Sequence, residues 1–365
     1  MIQAQEVLVQ VKKNRSVGIL AVAAVVAFGV AFVAVAASSA PAPQASGYKL
    51  TGKVVLGGDT GWDYLLADAA THRVFISHGN HTVVTDGAGK VLGDIPNTMG
   101  VHGIALAPEF NRGFTSNGQS NSVTVFDYKT LATITEIKIQ GQNPDGIVYD
   151  PASKRVFTMN GRSSDATAID AKTGEIAGTV ALGGRPETAQ VDGAGNMYVN
   201  LEDKNSLAAV DTRTLKVINT WPIAPCEGPS GQAIDAAHKR TFIGCDNQMV
   251  MVDITNGKVV GSVPIGRGVD ANGFDPGTGF AFASTGDGFV TVAHEDSPNK
   301  LTLVENVPTQ ARARTMTIDT ASHTVYSVTA DYTPAPPPPA GTPAGRGGRG
   351  TMVPGSFTLL IVTRQ

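Results

Sequence analysis

Apolar and polar residues alternate through Asn143–Leu182 in four short runs separated by turn-forming residues. GIVYD and VFTMN flank a turn at PASKR, and ATAID and IAGTVAL flank a turn at AKTGE. The runs are β-branched or apolar, and the breaks carry Pro, Gly, Asp, Ser and Lys. That combination predicts two β-hairpins, hence a four-stranded antiparallel meander. A single sheet of this size cannot bury both of its faces, whereas stacked copies can.

The pattern recurs. The Asp that closes the first run falls at Asp68, Asp150, Asp192, Asp235, Asp275 and Asp319, with Ala107 in the second place, at intervals of 39 to 44 residues. A marker closing the third run keeps the same phase at Asp86, Asp127, Asp170, Asp211, Asp253 and Glu295. Four strands per unit and a period of about 40–45 residues define a β-propeller. The fold class expected is therefore all-β, a seven-bladed β-propeller of four-stranded antiparallel blades. The last copy supplies MTID, VYSVT and FTLLIVT, three strands only. The N-terminal strand of the body, KLTGKVVLG, is expected to complete that blade and remove the free sheet edges. The propeller is read over residues 49–365.

Detail within the copies carries a resemblance. DAATHRVFISH, DPASKRVFTMN and DAAHKRTFIGC are matching first hairpins, and DAKTGEIAGTV, DTRTLKVINTW and DITNGKVVGSV are matching second ones. With NPDG ahead of the first strand, these resemble the YVTN-type repeats of the YncE-like family of bacterial seven-bladed propellers. The resemblance implies the fold and assigns no catalysis. Trp62-Asp63 precedes a first strand, unlike the dipeptide of WD40 repeats, which closes a third.

Composition changes the picture mainly at the ends. Forty-two glycines and 21 prolines in 365 residues fit short strands and turns, and helical periodicity is nearly absent after residue 45. A formal charge of −3 gives no electrostatic case for nucleic acid or an anionic membrane surface as partner. Residues 1–45 hold Lys12, Lys13 and Arg15, an apolar run from Val17 to Ala37, then SSAPAPQAS. This reads as a secretory signal peptide or as a retained N-terminal membrane anchor. Either delivers the body outside the cytoplasm, to the periplasm or the medium, as a monomer whose only membrane contact is that segment. Residues 333–355 are rich in Pro and Gly, which predicts an extended loop inserted in the last blade.

Candidate chemistry lies where first strands begin, because those loops meet around one mouth of a propeller's channel. Five residues before each first-strand marker stand Asp63, His102, Asp145, Glu187, Ser230, Asp270 and Arg314. Carboxylates sharing a funnel repel, so some should bind protons more tightly or hold a cation. The bland alternative is a wet rim of ordinary loop residues. The sharper form is a divalent metal held by His102, Asp145 and Glu187, with Asp63 or Asp270 as further ligands. Arg312 and Arg314, with Arg346 and Arg349 from the Pro/Gly-rich loop, would bring cations over an anionic ligand, unless that loop is only a solubilising linker. His78 and His81 fall in the first blade's hairpin region. His72, His238 and His323 lie in turns on the far face and read as solvated.

Cys226 precedes a first strand and Cys245 ends the second strand of the same blade, so antiparallel pairing brings them to one edge as a disulfide or as a pair of buried thiols. Met249 and Met251 alternate on a third strand and read as packing. Nucleophile-elbow, P-loop, HExxH and CxxC patterns are missing. Two function classes follow. One is a non-enzymatic scaffold that binds a protein or small-molecule ligand at the mouth. The other is a metal-dependent hydrolase, lactonase-like, that uses the carboxylate–histidine cluster to activate water.

Overall fold

Strand-forming runs and turns alternate along the chain as the pattern requires. The computed structural model describes residues 45–334 and 350–365. The Val17–Ala37 run, Arg346 and Arg349 lie outside the described residues. Within them the strands form seven four-stranded antiparallel sheets. Two single-turn 3-10 helices, Pro108–Phe110 and Glu202–Lys204, replace tight turns.

Six sheets take their strands in chain order, and the seventh places Tyr48–Val55 beside Thr358–Arg364. That pairing runs from Tyr48 opposite Arg364 to Val55 opposite Thr358, with a bulge between Leu50 and Gly52. The innermost strands of the blades are Leu65–Asp68, Val101–Ala107, Pro144–Asp150, Pro186–Val191, Gln232–Asp235, Val269–Asp275 and Met316–Asp319. Each touches the next, and the last touches the first, which closes the ring.

The core sits in the joints between blades. Phe157 and Met159 of the third blade pack on Met197 and Val199 of the fourth, and Met249 and Met251 of the fifth pack on Phe274 and Ala281 of the sixth. All eight are buried, and each large one contributes roughly 1.5–3 kcal/mol of apolar burial. The two methionines are packing residues, as their alternation implies.

The marker aspartates recur for a physical reason. Asp150 accepts hydrogen bonds from the backbone N–H groups of Ala152 at 3.2 Å and Ser153 at 3.0 Å. Asp235 and Asp319 do the same for Ala237 and Ala321, at 3.0 Å each. A short acidic side chain thus fixes each far-face turn. Four of the marker carboxylates, Asp68, Asp150, Asp275 and Asp319, are also buried and receive a donor from the following blade. Tyr128 donates to Asp68, and Thr212 Oγ1 donates to Asp150 at 2.6 Å. His323 Nδ1 meets Asp275 at 2.7 Å, and His72 Nδ1 meets Asp319 at 2.6 Å. His72 and His323 are therefore latches between blades as well as solvent-facing turn residues, with side chains 55% and 40% exposed.

One marker is out of register. Arg155 and Arg240 pair with Asp170 and Asp253, but Phe280, at the same place in the sixth blade, pairs with His294. Glu295 is one residue later, and its N–H donates to Gly279 O as that of Tyr128 donates to Asn111 O. A one-residue step along a strand reverses the face a side chain occupies. Glu295 therefore points into the joint between the fifth and sixth blades, and its side chain is 2% exposed.

Candidate functional site

Of the seven mouth residues, Asp63, Ser230 and Arg314 precede their inner strands, whereas His102, Asp145, Glu187 and Asp270 are the second residues of theirs, and their contacts gather them into two arcs. His102 Nδ1 lies 2.5 Å from Asp63 Oδ2, one blade back, and 3.4 Å from Asp145 Oδ1, one blade on. Across the channel, Asp270 accepts from Ser230 Oγ at 3.1 Å and pairs with Arg314 Nη1 at 3.0 Å. Glu187 accepts from the hydroxyl of Tyr64 at 3.1 Å. Three blades supply one arc, three the other, and Glu187 of the fourth blade joins the first arc through Tyr64.

Buried polar side chains on the second strands hold these loops. Ser116 in Arg112–Asn117 donates to the carbonyl of Asp145, which belongs to the next blade. Asn200 in Asn196–Leu201 donates to Ser230 O at 2.8 Å, and Ser284 in Phe280–Thr285 donates to Arg314 O at 2.5 Å. Ser77 serves its own blade by accepting from Asp63 N–H at 2.8 Å. Asp145, Ser230 and Arg314 thus have their backbones set by a neighbour's sheet. That precision is what a recognition site needs.

Sequence reasoning missed Tyr64. The residues after the other six mouth positions are Gly103, Gly146, Thr188, Gly231, Ala271 and Thr315, all small. They must be small where inner strands crowd. A Cβ on Gly146 would come within 2.5 Å of Glu187 O, and one on Gly231 within 2.5 Å of Ala271 Cα. Tyr64 is the exception, and its ring reaches across to the fourth blade. The signal was present as one aromatic in a column of small residues.

Burial and charge together set the protonation of the ring. Burial opposes a charge on His102, but the hydrogen bond to Asp63 and the Asp145 carboxylate outweigh it and raise its pKa to about 9. Burial raises Asp145 to about 7, with the Asp63 charge adding and the His102 charge opposing. Glu187 rises to about 8 through burial and the charges of Asp145 and Asp270. Asp270 rises to about 6 from burial, against the pull of Arg314. At neutral pH the mouth therefore holds protons that a solvated rim would release.

Of the metal set read from the sequence, His102 and Asp145 come together, and Asp63 takes the third place. The ligand atoms of Asp63, His102 and Asp145 all lie within 4.8 Å of one another. Glu187 is engaged by Tyr64 instead. Arg312 stacks on Tyr332 with its guanidinium carbon 3.4 Å from the ring centre. With Trp62, Val269 and Arg314 they line a recess of about 470 Å³ beside the mouth. His78 stacks on Phe357 at 4.1 Å and is lowered to about 4 by burial and by His81, so it stays neutral. Cys226 and Cys245 form a disulfide with Cα atoms 5.4 Å apart.

No protein-family model matches the sequence, and comparison with curated proteins finds no similar one. Solved structures share the fold. The hydrazine synthase of Kuenenia stuttgartiensis is 17% identical over 75% of this chain and 94% of that one, with a TM-score of 0.66. U3-55K is 8% identical over 87% and 99%, with a TM-score of 0.68. A chain of the mitotic checkpoint complex is 12% identical over 89% and 96%, with a TM-score of 0.69. At such identities the likeness carries the architecture and no function. The class is thus a seven-bladed β-propeller.

Proposed function

We propose that this protein is an extracytoplasmic, YncE-like propeller that binds a ligand at the channel mouth without catalysing a reaction. The observation that carries the reading is the gathering of Asp63, His102, Asp145, Glu187, Ser230, Asp270 and Arg314 into two linked, partly buried arcs. A ligand that brings positive charge would displace the protons held by Asp145 and Glu187 and be met by four carboxylates against one imidazolium and one guanidinium. The Cys226–Cys245 disulfide and the basic-then-apolar start of the chain support an oxidising compartment. The test is calorimetric titration of the full chain with spermidine and with a series of divalent ions, repeated on Asp63→Asn and Asp145→Asn. Binding that weakens in both variants supports the reading. Binding unchanged in both overturns it.

A second reading, a metal-dependent hydrolase of lactonase type, has one observation in its favour, the close approach of Asp63, His102 and Asp145. A metal there would have to displace the proton that His102 holds against Asp63, which makes binding strongly pH-dependent. Stoichiometric metal and lactone hydrolysis, both lost in His102→Ala, would establish the enzyme. Elemental analysis without metal leaves the binding protein.

A further inference from the structure

The joint between the fifth and sixth blades breaks a rule that four other joints obey. Buried Asp68, Asp150, Asp275 and Asp319 each receive a hydrogen-bond donor from the following blade, namely Tyr128, Thr212, His323 and His72. Asp235 is buried in the same way but receives another carboxylate, Glu295. The position that carries His72 and His323 in their blades is Gly279 in the sixth, so no imidazole arrives from that side. Neither Glu295 oxygen has a hydrogen-bond partner, although the side chain is almost wholly buried.

Two carboxylates in one dry joint require a positive charge or a shared proton. Arg240 is close but occupied. Its guanidinium donates to Pro298 O and to Asn299 Oδ1 at 3.2 Å and pairs with Asp253 at 3.3 Å. His238 completes the cluster, with Nδ1 2.7 Å from Asp235 Oδ2 and 3.4 Å from Glu295 Oε1. The ligand atoms of the three residues lie within 4.8 Å of one another. The half-exposed His238 leaves the cluster open to solvent on one side, which gives an ion a way in.

We propose that Asp235, His238 and Glu295 bind a divalent transition-metal ion that pins the fifth blade to the sixth on the face opposite the mouth. The charge of the ion balances the two carboxylates, and the open side leaves room for water ligands. One imidazole with two carboxylates suits zinc or manganese better than calcium or magnesium, which prefer all-oxygen sets. The role is structural: the metal does for this joint what an imidazole does for the joints at Asp275 and Asp319. Burial and Asp235 raise Glu295 to about 7, which is how the bare pair would behave without the ion.

The experiment uses the full chain carrying Asp63→Asn and His102→Ala, so that the mouth contributes no metal site. The chelated, dialysed protein is titrated with zinc and with manganese chloride, following the melting temperature and, for manganese, the electron paramagnetic resonance signal of the bound ion. One equivalent should bind and raise the melting temperature. Glu295→Gln and His238→Ala should each weaken binding by at least about tenfold. Two results overturn the proposal. One is no bound metal at any pH from 6 to 8, which a rise in the melting temperature of metal-free Glu295→Gln would trace to a shared proton alone. The other is metal binding that both variants leave intact.

Discussion

His102 stands between two carboxylates from neighbouring blades, 2.5 Å from Asp63 and 3.4 Å from Asp145, so one proton serves three blades. A folded-state pKa of about 9 lies above the usual 6.5 of an imidazole. The stabilisation from that proton is therefore complete below pH 6.5 and is lost as pH rises towards 9. Titration followed by imidazole proton resonances should show His102 protonated at pH 7.5, with Asp63→Asn moving its midpoint downward.

Glu187 has the same sign for a different reason. Its pKa is raised from 4.5 to about 8, so the folded protein binds an extra proton through that interval, and stability falls as pH climbs across it. Glu187→Gln keeps an acceptor for Tyr64 and carries no charge. It should match the wild type at pH 4.5 and exceed it at pH 9 by about 3–5 kcal/mol, at about 1.4 kcal/mol for each pH unit between the two values, read from urea unfolding at the two pH values.

Ring closure should be all-or-none. Thr358–Arg364 bonds to Tyr48–Val55 on one side and Thr324–Thr329 on the other, and Leu359, Leu360 and Val362 are buried. Removing residues 358–365 exposes two strand edges and the seventh joint together. The truncated chain should lose its cooperative melt by circular dichroism and be cut rapidly in limited proteolysis. Leu359→Ala, which keeps the strand, should cost only about 2–5 kcal/mol.

The latch at Asp275 should matter more than a surface pair of equal length. His323→Ala removes a donor from a carboxylate that is fully buried, at a cost of about 1–3 kcal/mol. His81→Ala breaks the pair with Asp94, 2.5 Å apart but partly exposed on both sides, and should cost less than about 1 kcal/mol. Chemical denaturation of the two variants makes the comparison.

The Cys226–Cys245 disulfide closes a loop with a sequence separation of 19. Restricting the unfolded chain over such a loop is worth about 3 kcal/mol. Replacing both cysteines with Ser should lower the melting temperature, and reductant should then have no further effect.

Period and phase alone determined the architecture. The Asp68-to-Asp319 series, recurring with each four-strand unit, admits a ring of seven sheets and little else, because a lone meander cannot bury its faces. The same count singled out seven equivalent positions, and contacts gather their side chains into two arcs, since repeats superpose. Chain order could not say which of them touch. That depended on how neighbouring blades grip each other's loops, through Ser116, Asn200 and Ser284, and on Tyr64 reaching across to Glu187. Nor could it show that His72 and His323 latch the joints, since their partners lie 247 and 48 residues away. Glu295 shows the limit most plainly. By spacing it joined the third-strand markers, but pairing in the sixth blade gives that place to His294. A strand exposes opposite faces at successive residues, so one residue of register, settled only by the packed sheet, decides whether a carboxylate faces solvent or lies buried against Asp235.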